Sequence, residues 1–461
     1  MMPDDVSKIL SRMRQYFNSG LTRPVSFRIE QLKNLKKTIR SHEDEIIQAL
    51  RMDMKKPPFE SYASEIGFLY LEIEYAIRHV RSWARPKRVS TPVIHFLSSS
   101  MVHQEPYGVA LIIGPWNYPL QLVIAPLIGA MAAGNCALIK PSELAPATSS
   151  VIKRIAEAQF NPDYIKVIEG GIDVTQDLLT EKFDYIFYTG GTAVGRIIME
   201  AAAKHLTPVT LELGGKSPCI VDQETNLHYT VKRIAWGKFF NAGQTCIAPD
   251  YCLVHAAIKE AFLKEMIRTL LSFYGEDPSR SPDYARIINE KHFQRLERLL
   301  NDGEKVFGGR RDRTTLYMAP TLIDRVTLED NIMKEEIFGP LLPVMSYDHL
   351  DDAITIVNSL PRPLALYYFS DNKAHQQKAL SEMTSGGGCI NDTVSHIGSQ
   401  TMPFGGVGNS GMGAYHGRYS FDTFSHPRGI LKRSNLFDMA LRYPPYKNNV
   451  KILKWLFRII G

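Results

Sequence analysis

The chain lacks any apolar run of about 18 or more residues, the length that a membrane-spanning helix needs, so a conventional span is excluded. Among 461 residues there are only five cysteines, an odd number at irregular spacing. That argues against a disulfide framework and for a reducing, cytoplasmic setting. The first residues, Met1-Met2-Pro3-Asp4-Asp5, have neither the basic nor the apolar region of a secretory signal. Charge of one sign is also missing from the body. The formal total is +6, but Lys432 to Gly461 alone hold seven Lys/Arg against one Asp, which leaves the remainder neutral. A body without a basic surplus argues against a nucleic-acid-binding face. No internal repeat or low-complexity tract is present.

What is there is ordinary globular composition, 44% apolar and 22% charged, in a length that suits two or three domains. Residues 6–84 read as helical. Ile29, Leu32, Leu35 and Ile39 recur at helical spacing, as do Ile66, Leu69, Ile73 and Ile77, and Pro57-Pro58 separates the two runs. Residues 88–105 read as two strands around a turn at Ser98-Ser99-Ser100. From Gly108 strands and helices alternate. Strands are expected at 109–113, 136–139, 164–168, 184–188 and 209–213, with helices between them. This pattern implies a parallel sheet with right-handed crossovers, a dinucleotide-binding type of layer. A second α/β series runs from Pro218 to about Ile390, with strands near 251–255, 341–346 and 364–369 and helices near 227–240, 257–273 and 351–359. The Gly-rich piece 402–413 reads as loop.

Four segments combine reactive side chains with Gly or Pro. Thr189-Gly190-Gly191-Thr192-Ala193-Val194-Gly195 follows a strand and opens a helix. Thr192 stands where the standard dinucleotide fingerprint has its middle glycine, yet backbone N–H groups at a helix start still favour phosphate. A plain strand–helix turn is the alternative. Lys140-Pro141-Ser142-Glu143 follows a strand, where ligands bind in such sheets, or else caps a helix. Asn117, in Pro115-Trp116-Asn117-Tyr118-Pro119, is either a turn residue or an amide donor to an oxyanion. Cys246, in Asn241-Ala242-Gly243-Gln244-Thr245-Cys246, is a candidate nucleophile among small and polar neighbours. Glu212, before Gly214-Gly215, is a candidate base or a structural carboxylate. Cys136, Cys219, Cys252 and Cys389 lie in strand-like apolar runs and read as core. No His is near Cys246 in sequence, so a cysteine–histidine hydrolase with a distant His stays open.

Taken in order, the segments around Asn117, Glu212 and Cys246 resemble the catalytic set of the NAD(P)-dependent aldehyde dehydrogenase superfamily, and most closely its class 3 branch, over nearly the whole chain. The resemblance implies an α/β fold with a Rossmann-like cofactor domain (1–84 and 107–213) and an α/β catalytic domain (214–396). It also implies a small β bridging or oligomerisation domain (85–106 and 397–434), followed by a basic tail at 435–461. It implies oxidation of an aldehyde to the acid through a thiohemiacetal and thioester on Cys246, with Asn117 at the oxyanion and Glu212 activating water. The cofactor set is Lys140, Glu143, Gly190, Gly191, Thr192, Gly195, Trp116, Leu213, Glu336 and Phe338. Glu336 would take the nicotinamide-side ribose, Phe338 the nicotinamide and Lys140 the adenosine ribose. No metal ligand set is assigned. Glu143 near the ribose would repel a 2′-phosphate, so NAD is expected to serve at least as well as NADP. A homodimer is expected. A cysteine-dependent esterase and a non-catalytic protein of the same fold are the rival readings.

The aldehyde itself is not legible. Tyr62, Tyr118, Trp236, Ile390, Thr393 and Phe404 are candidates to line its pocket. In the tail, Lys451, Lys454 and Arg458 share one face of an otherwise apolar helix of about 13 residues, too short to span a bilayer. Docking on the body or a partner subunit is favoured there over a place in a membrane interface.

Overall fold

The computed structural model describes residues 3–436, 438, 442–446 and 449–460. The N-terminal part is helical as expected. Val25–Ser41 and Gly67–Trp83 bury Leu32, Leu35, Ile39, Leu69, Ile73 and Val80. They pack along Gln121–Ala133, a helix buried on every side, which its almost wholly apolar composition allows. Pro57 stands between helices Glu43–Met54 and Pro58–Ser61, where its missing N–H costs no helical bond. A single π-helical turn, Tyr62–Ile66, joins the latter to Gly67–Trp83.

Two large sheets carry the site. The first has six strands, in the order Gly411–Met412, Val209–Glu212, Tyr185–Thr189, Val109–Ile113, Cys136–Lys140, Ile165–Val167. The last five are mutually parallel, as the alternation of strand and helix requires. The second has seven, in the order Glu304–Phe307, Thr321–Asp324, Leu341–Tyr347, Tyr251–His255, Pro218–Val221, Ala365–Phe369, Gly387–Ile390. A third sheet is antiparallel, with Lys87–Val89, Ser98–Pro106 and Ser425–Arg433 side by side.

Two expectations fail on pairing grounds. Ser98–Ser100 are not the turn of the hairpin. They open the strand Ser98–Pro106, because Ser425–Arg433, more than 300 residues away, pairs with its whole length. The turn is the preceding stretch, which holds the short helix Val93–His95. The Gly-rich piece is not all loop either. Gly411–Met412 add an antiparallel strand beside Leu211 and Glu212. Glycine is needed at 411, with φ +136°, because a Cβ there would meet the Leu211 carbonyl oxygen at 2.0 Å.

Candidate active site

A cleft of about 500 Å³ lies between the carboxyl ends of the first sheet's strands, at Thr189 and Glu212, and the segments that lead into the strands of the second sheet, at Gly214, Cys246 and Glu336. Ten of the thirteen sequence-predicted site residues line it: Trp116, Asn117, Gly190, Gly191, Thr192, Glu212, Leu213, Cys246, Glu336 and Phe338. Lys140, Glu143 and Gly195 lie outside its wall. Lys140 ends the neighbouring strand and binds Glu143 at 2.6 Å. Gly195 supports the wall from behind, since a Cβ there would strike the Leu213 side chain at 2.7 Å.

A second cavity, about 220 Å³, meets the cleft at Cys246 and Leu122, which line both. Its wall is aromatic and aliphatic, including Phe59, Phe68, Tyr118, Trp236, Phe240 and Ile397, and holds no charged side chain. Of the six proposed pocket residues, Tyr118 and Trp236 belong to it. Tyr62, Ile390, Thr393 and Phe404 do not. Phe59, Phe68, Phe240 and Ile397 were missed, because an apolar residue that faces a cavity has the same spacing as one that faces the core.

The loop bearing Cys246 is held in an unusual backbone path. Asn241, Ala242 and Gly243 all have positive φ, +52°, +52° and +75°. Such conformations persist only where surroundings over-determine them. Gln244 does so here, donating to the carbonyls of Asn241 and Arg286 and accepting from Ile288 N. Tyr118 Oη lies 2.6 Å from Thr245 Oγ1, and Tyr367 Oη donates to Ile247 O at 2.6 Å. Asn117 Nδ2 donates to Gln244 O at 3.1 Å, so the amide is tied directly to this loop.

The electrostatics favour neutral groups at rest. Burial pushes the Cys246 thiol up to about 12, and the charges of Glu336 and Glu212 push the same way, while the N–H groups of Cys246 and Ile247 oppose them. Burial raises the Glu212 carboxyl well above the usual range, and neither of its oxygens has a hydrogen-bond partner. Burial also brings Glu336 to about 8. Its carboxyl rests on the Gly214-Gly215 backbone, where a Cβ at 214 would come within 2.0 Å of Glu336 Oε2. One expected core cysteine differs. Cys389 is only part-buried, on an edge strand, with its Sγ 3.5 Å from His396 Nδ1.

The cleft suits a dinucleotide. Gly191 caps the helix Thr192–Ala203, and a Cβ on it would meet nothing within 4 Å, so this helix start is open for an anion. At the other end Trp116 and Phe338 pack edge to face with centroids 5.3 Å apart. His292 stands beside Trp116 at 5.0 Å, and burial lowers its pKa to about 4. His292 and Arg295 line the cleft and escaped the sequence reading, since both sit on the helix Glu290–Leu299, which was not foreseen.

The comparisons agree with this architecture. Residues 1–430 match the model of the aldehyde dehydrogenase family. A 4,4'-diaponeurosporen-aldehyde dehydrogenase of Staphylococcus aureus is 49% identical over 447 residues, 96% of this chain and 97% of that protein. A dimeric NADP-preferring aldehyde dehydrogenase of Canis lupus familiaris is 47% identical over 442 residues, 95% and 98% of the two chains. The substrate-bound structure of Staphylococcus aureus AldH superimposes with a TM-score of 0.96 at 48% identity, covering 98% of this chain and 99% of that one. The chain belongs to the aldehyde dehydrogenase family, enzymes that oxidise aldehydes to carboxylic acids with NAD(P).

Proposed function

We propose that Cys246 is the nucleophile of this oxidation, Asn117 its oxyanion donor and Glu212 the base that activates water. The observation that carries the reading is that Cys246 lines both the apolar cavity and the larger cleft, and Asn117 and Glu212 line that cleft with it. A base takes the thiol proton as Cys246 Sγ bonds to the aldehyde carbon, and the carbonyl π pair moves to oxygen, giving a thiohemiacetal oxyanion. The Asn117 amide and the Cys246 N–H hold its oxyanion, a contact of a few kcal/mol in such sites. The nicotinamide, when bound, supplies the hydride acceptor. Loss of hydride leaves a thioester on Cys246. Glu212 takes a proton from water as the new C–O bond forms, and the C–S bond breaks to return the thiol and release the acid. Trp116, Phe338 and Glu336 would hold the nicotinamide half, Gly190, Gly191 and Thr192 the phosphates, and Lys140 with Glu143 the adenosine ribose.

The uncharged, aromatic cavity supports aldehydes with an apolar tail, aliphatic or aromatic. Each methylene buried there is worth about 0.8 kcal/mol, roughly fourfold in kcat/KM until the cavity is full. A carboxylate or phosphate would enter without a partner, at a cost of several kcal/mol. Aliphatic aldehydes of rising length, benzaldehyde and succinic semialdehyde, each with NAD and with NADP, test this by reduced-cofactor absorbance. The expected order is apolar over semialdehyde by at least about tenfold, with NAD at least equal to NADP because the Glu143 carboxylate lies beside Lys140. A semialdehyde preference would sink the substrate reading, and a several-fold NADP preference would sink the role given to Glu143.

Open sheet edges support a homodimer. Ser425–Arg433 is a nine-residue edge strand with most residues exposed, and Gly387–Ile390 is the open end of the seven-stranded sheet. Unpaired edges of this length invite pairing. Sedimentation should give a mass of about twice the 52.1 kDa chain; a monomer at micromolar concentration would count against it. The sheets support the division into 1–84 with 107–213, 214–396, and 85–106 with 397–434, except that Gly411–Met412 cross back to the first sheet.

The tail favours a membrane surface. In Asn449–Ile460 the apolar residues Val450, Ile452, Leu453, Trp455 and Phe457 are exposed, the last two at 61% and 57%, so the helix is not docked on its own chain. Gly461 lies outside the described residues. Among the described residues no helix is long and apolar enough to cross a membrane. Ser434 N bonds Leu97 O, so the last strand ends beside the hairpin turn, where Val93 and Phe96 are also exposed. Apolar residues flanked by Lys451, Lys454 and Arg458 suit peripheral contact with anionic lipid. Intact protein should bind anionic vesicles at low salt. Deletion of 447–461 should remove binding and spare activity on small soluble aldehydes. No binding by the intact chain would dispose of the idea.

A further inference from the structure

Residues 56–65 carry three buried charged side chains, Lys56, Glu60 and Glu65, that the steps above do not use. Lys56 and Glu65 have no exposed side-chain surface and form an ion pair at 2.5 Å. Both reach the segment of Asn117. Lys56 Nζ donates to Asn117 O at 3.1 Å and lies 4.2 Å from the centre of the Tyr118 ring. Glu65 Oε2 accepts from Leu120 N at 2.9 Å and Gln121 N at 3.3 Å, the start of the buried helix. Asn241 Nδ2 donates to the same Asn117 carbonyl at 2.9 Å. Glu60 Oε2 in turn accepts from Asn241 N at 3.0 Å, at the first of the three left-handed residues.

The Asn117 peptide is therefore clamped between Lys56 and Asn241, and its side-chain amide spends one N–H on Gln244 O. The other N–H is left for the cleft. Glu65 sits in the π-helical turn Tyr62–Ile66, a local irregularity frequent at functional sites. A buried ion pair is poor value for stability, since apolar residues of the same volume often serve as well or better. Its other possible return is fixed geometry. We propose that the Lys56–Glu65 pair positions the Asn117 amide toward the oxyanion, so that these two residues of the helical N-terminal region set the rate of thiohemiacetal formation without touching substrate. The proposal rests on the oxyanion role of Asn117.

The test is the single-turnover rate of cofactor reduction, with enzyme in excess over an aliphatic aldehyde and NAD saturating. In K56M/E65Q both charges go together, and the glutamine oxygen keeps an acceptor for Leu120 N and Gln121 N. Reduced cofactor should bind within about twofold of wild type, which reports an intact cleft, while the single-turnover rate falls more than about fivefold. Adding N117A should cost nothing further beyond N117A alone, because both changes remove one interaction. A double-variant rate within about fivefold of wild type, or a loss that multiplies in full with that of N117A, overturns the proposal. If N117A itself keeps the wild-type rate, the oxyanion reading has failed instead. Should K56M/E65Q not bind cofactor, E65Q alone is judged by the same fivefold criterion, about one kcal/mol in the barrier being all it must show.

Discussion

Cys246→Ser is expected to lower aldehyde oxidation by at least about 10³-fold, the order lost when a covalent nucleophile is removed. Single turnover should disappear with steady-state turnover, because no C–S bond can form. Binding of reduced cofactor should stay within about twofold of wild type. Serine is close to cysteine in size, and Gly191, Trp116 and Phe338, which line the cleft, are untouched. Any thiol-dependent ester hydrolysis should vanish as well. Retained oxidation would mean that the thiol, although it stands where the two cavities meet, does not take part.

Glu212→Gln should separate the two halves of the reaction. If Glu212 acts only in deacylation, one equivalent of reduced cofactor per site forms at near wild-type rate and turnover then stalls. The loss in kcat should be about 10²- to 10⁴-fold, the usual worth of a positioned base. The pH dependence has a definite sign. Burial holds the Glu212 carboxyl well above the usual carboxylate range, and only the ionised form can accept a proton from water. The kcat of the wild type should therefore rise with pH as Glu212 ionises, and the residual turnover of the variant should lack that limb. Since burial also holds the Cys246 thiol at about 12, a base for the thiol is wanted too. Loss of the single turnover in Glu212→Gln would assign that second duty to the same carboxylate.

Some of the fold was open to inspection in the chain. Val109–Ile113 and Tyr251–His255 have the expected bounds, because fully buried parallel strands are written as short apolar runs. The helix Glu290–Leu299 and the strands Glu304–Phe307 and Thr321–Asp324 were not foreseen. Polar faces on the first of these strands hide its periodicity. Composition marks Ser98–Ser100 and Gly411–Met412 as turn or loop, since it is blind to a partner strand that arrives from far along the chain.

The site divides in the same way. Asn117, Glu212 and Cys246 could be singled out as candidates from the sequence because each sits in a Gly/Pro-marked segment and the three, in order, resemble one family's catalytic set. The loop Gly190-Gly191-Thr192 was legible because strand, turn and helix start are consecutive. Only the tertiary structure decided that Phe59, Phe68, Phe240 and Ile397 wall the apolar cavity beside Cys246, because they come from distant elements and meet only when packed. It alone decided that Val450, Ile452, Leu453, Trp455 and Phe457 of the tail helix are left uncovered by their own chain, a matter of what surface the body leaves free. And it alone joined Lys56 and Glu65 to Asn117, since a buried charge is tolerated only where partners converge on it, and those partners lie more than 50 residues away.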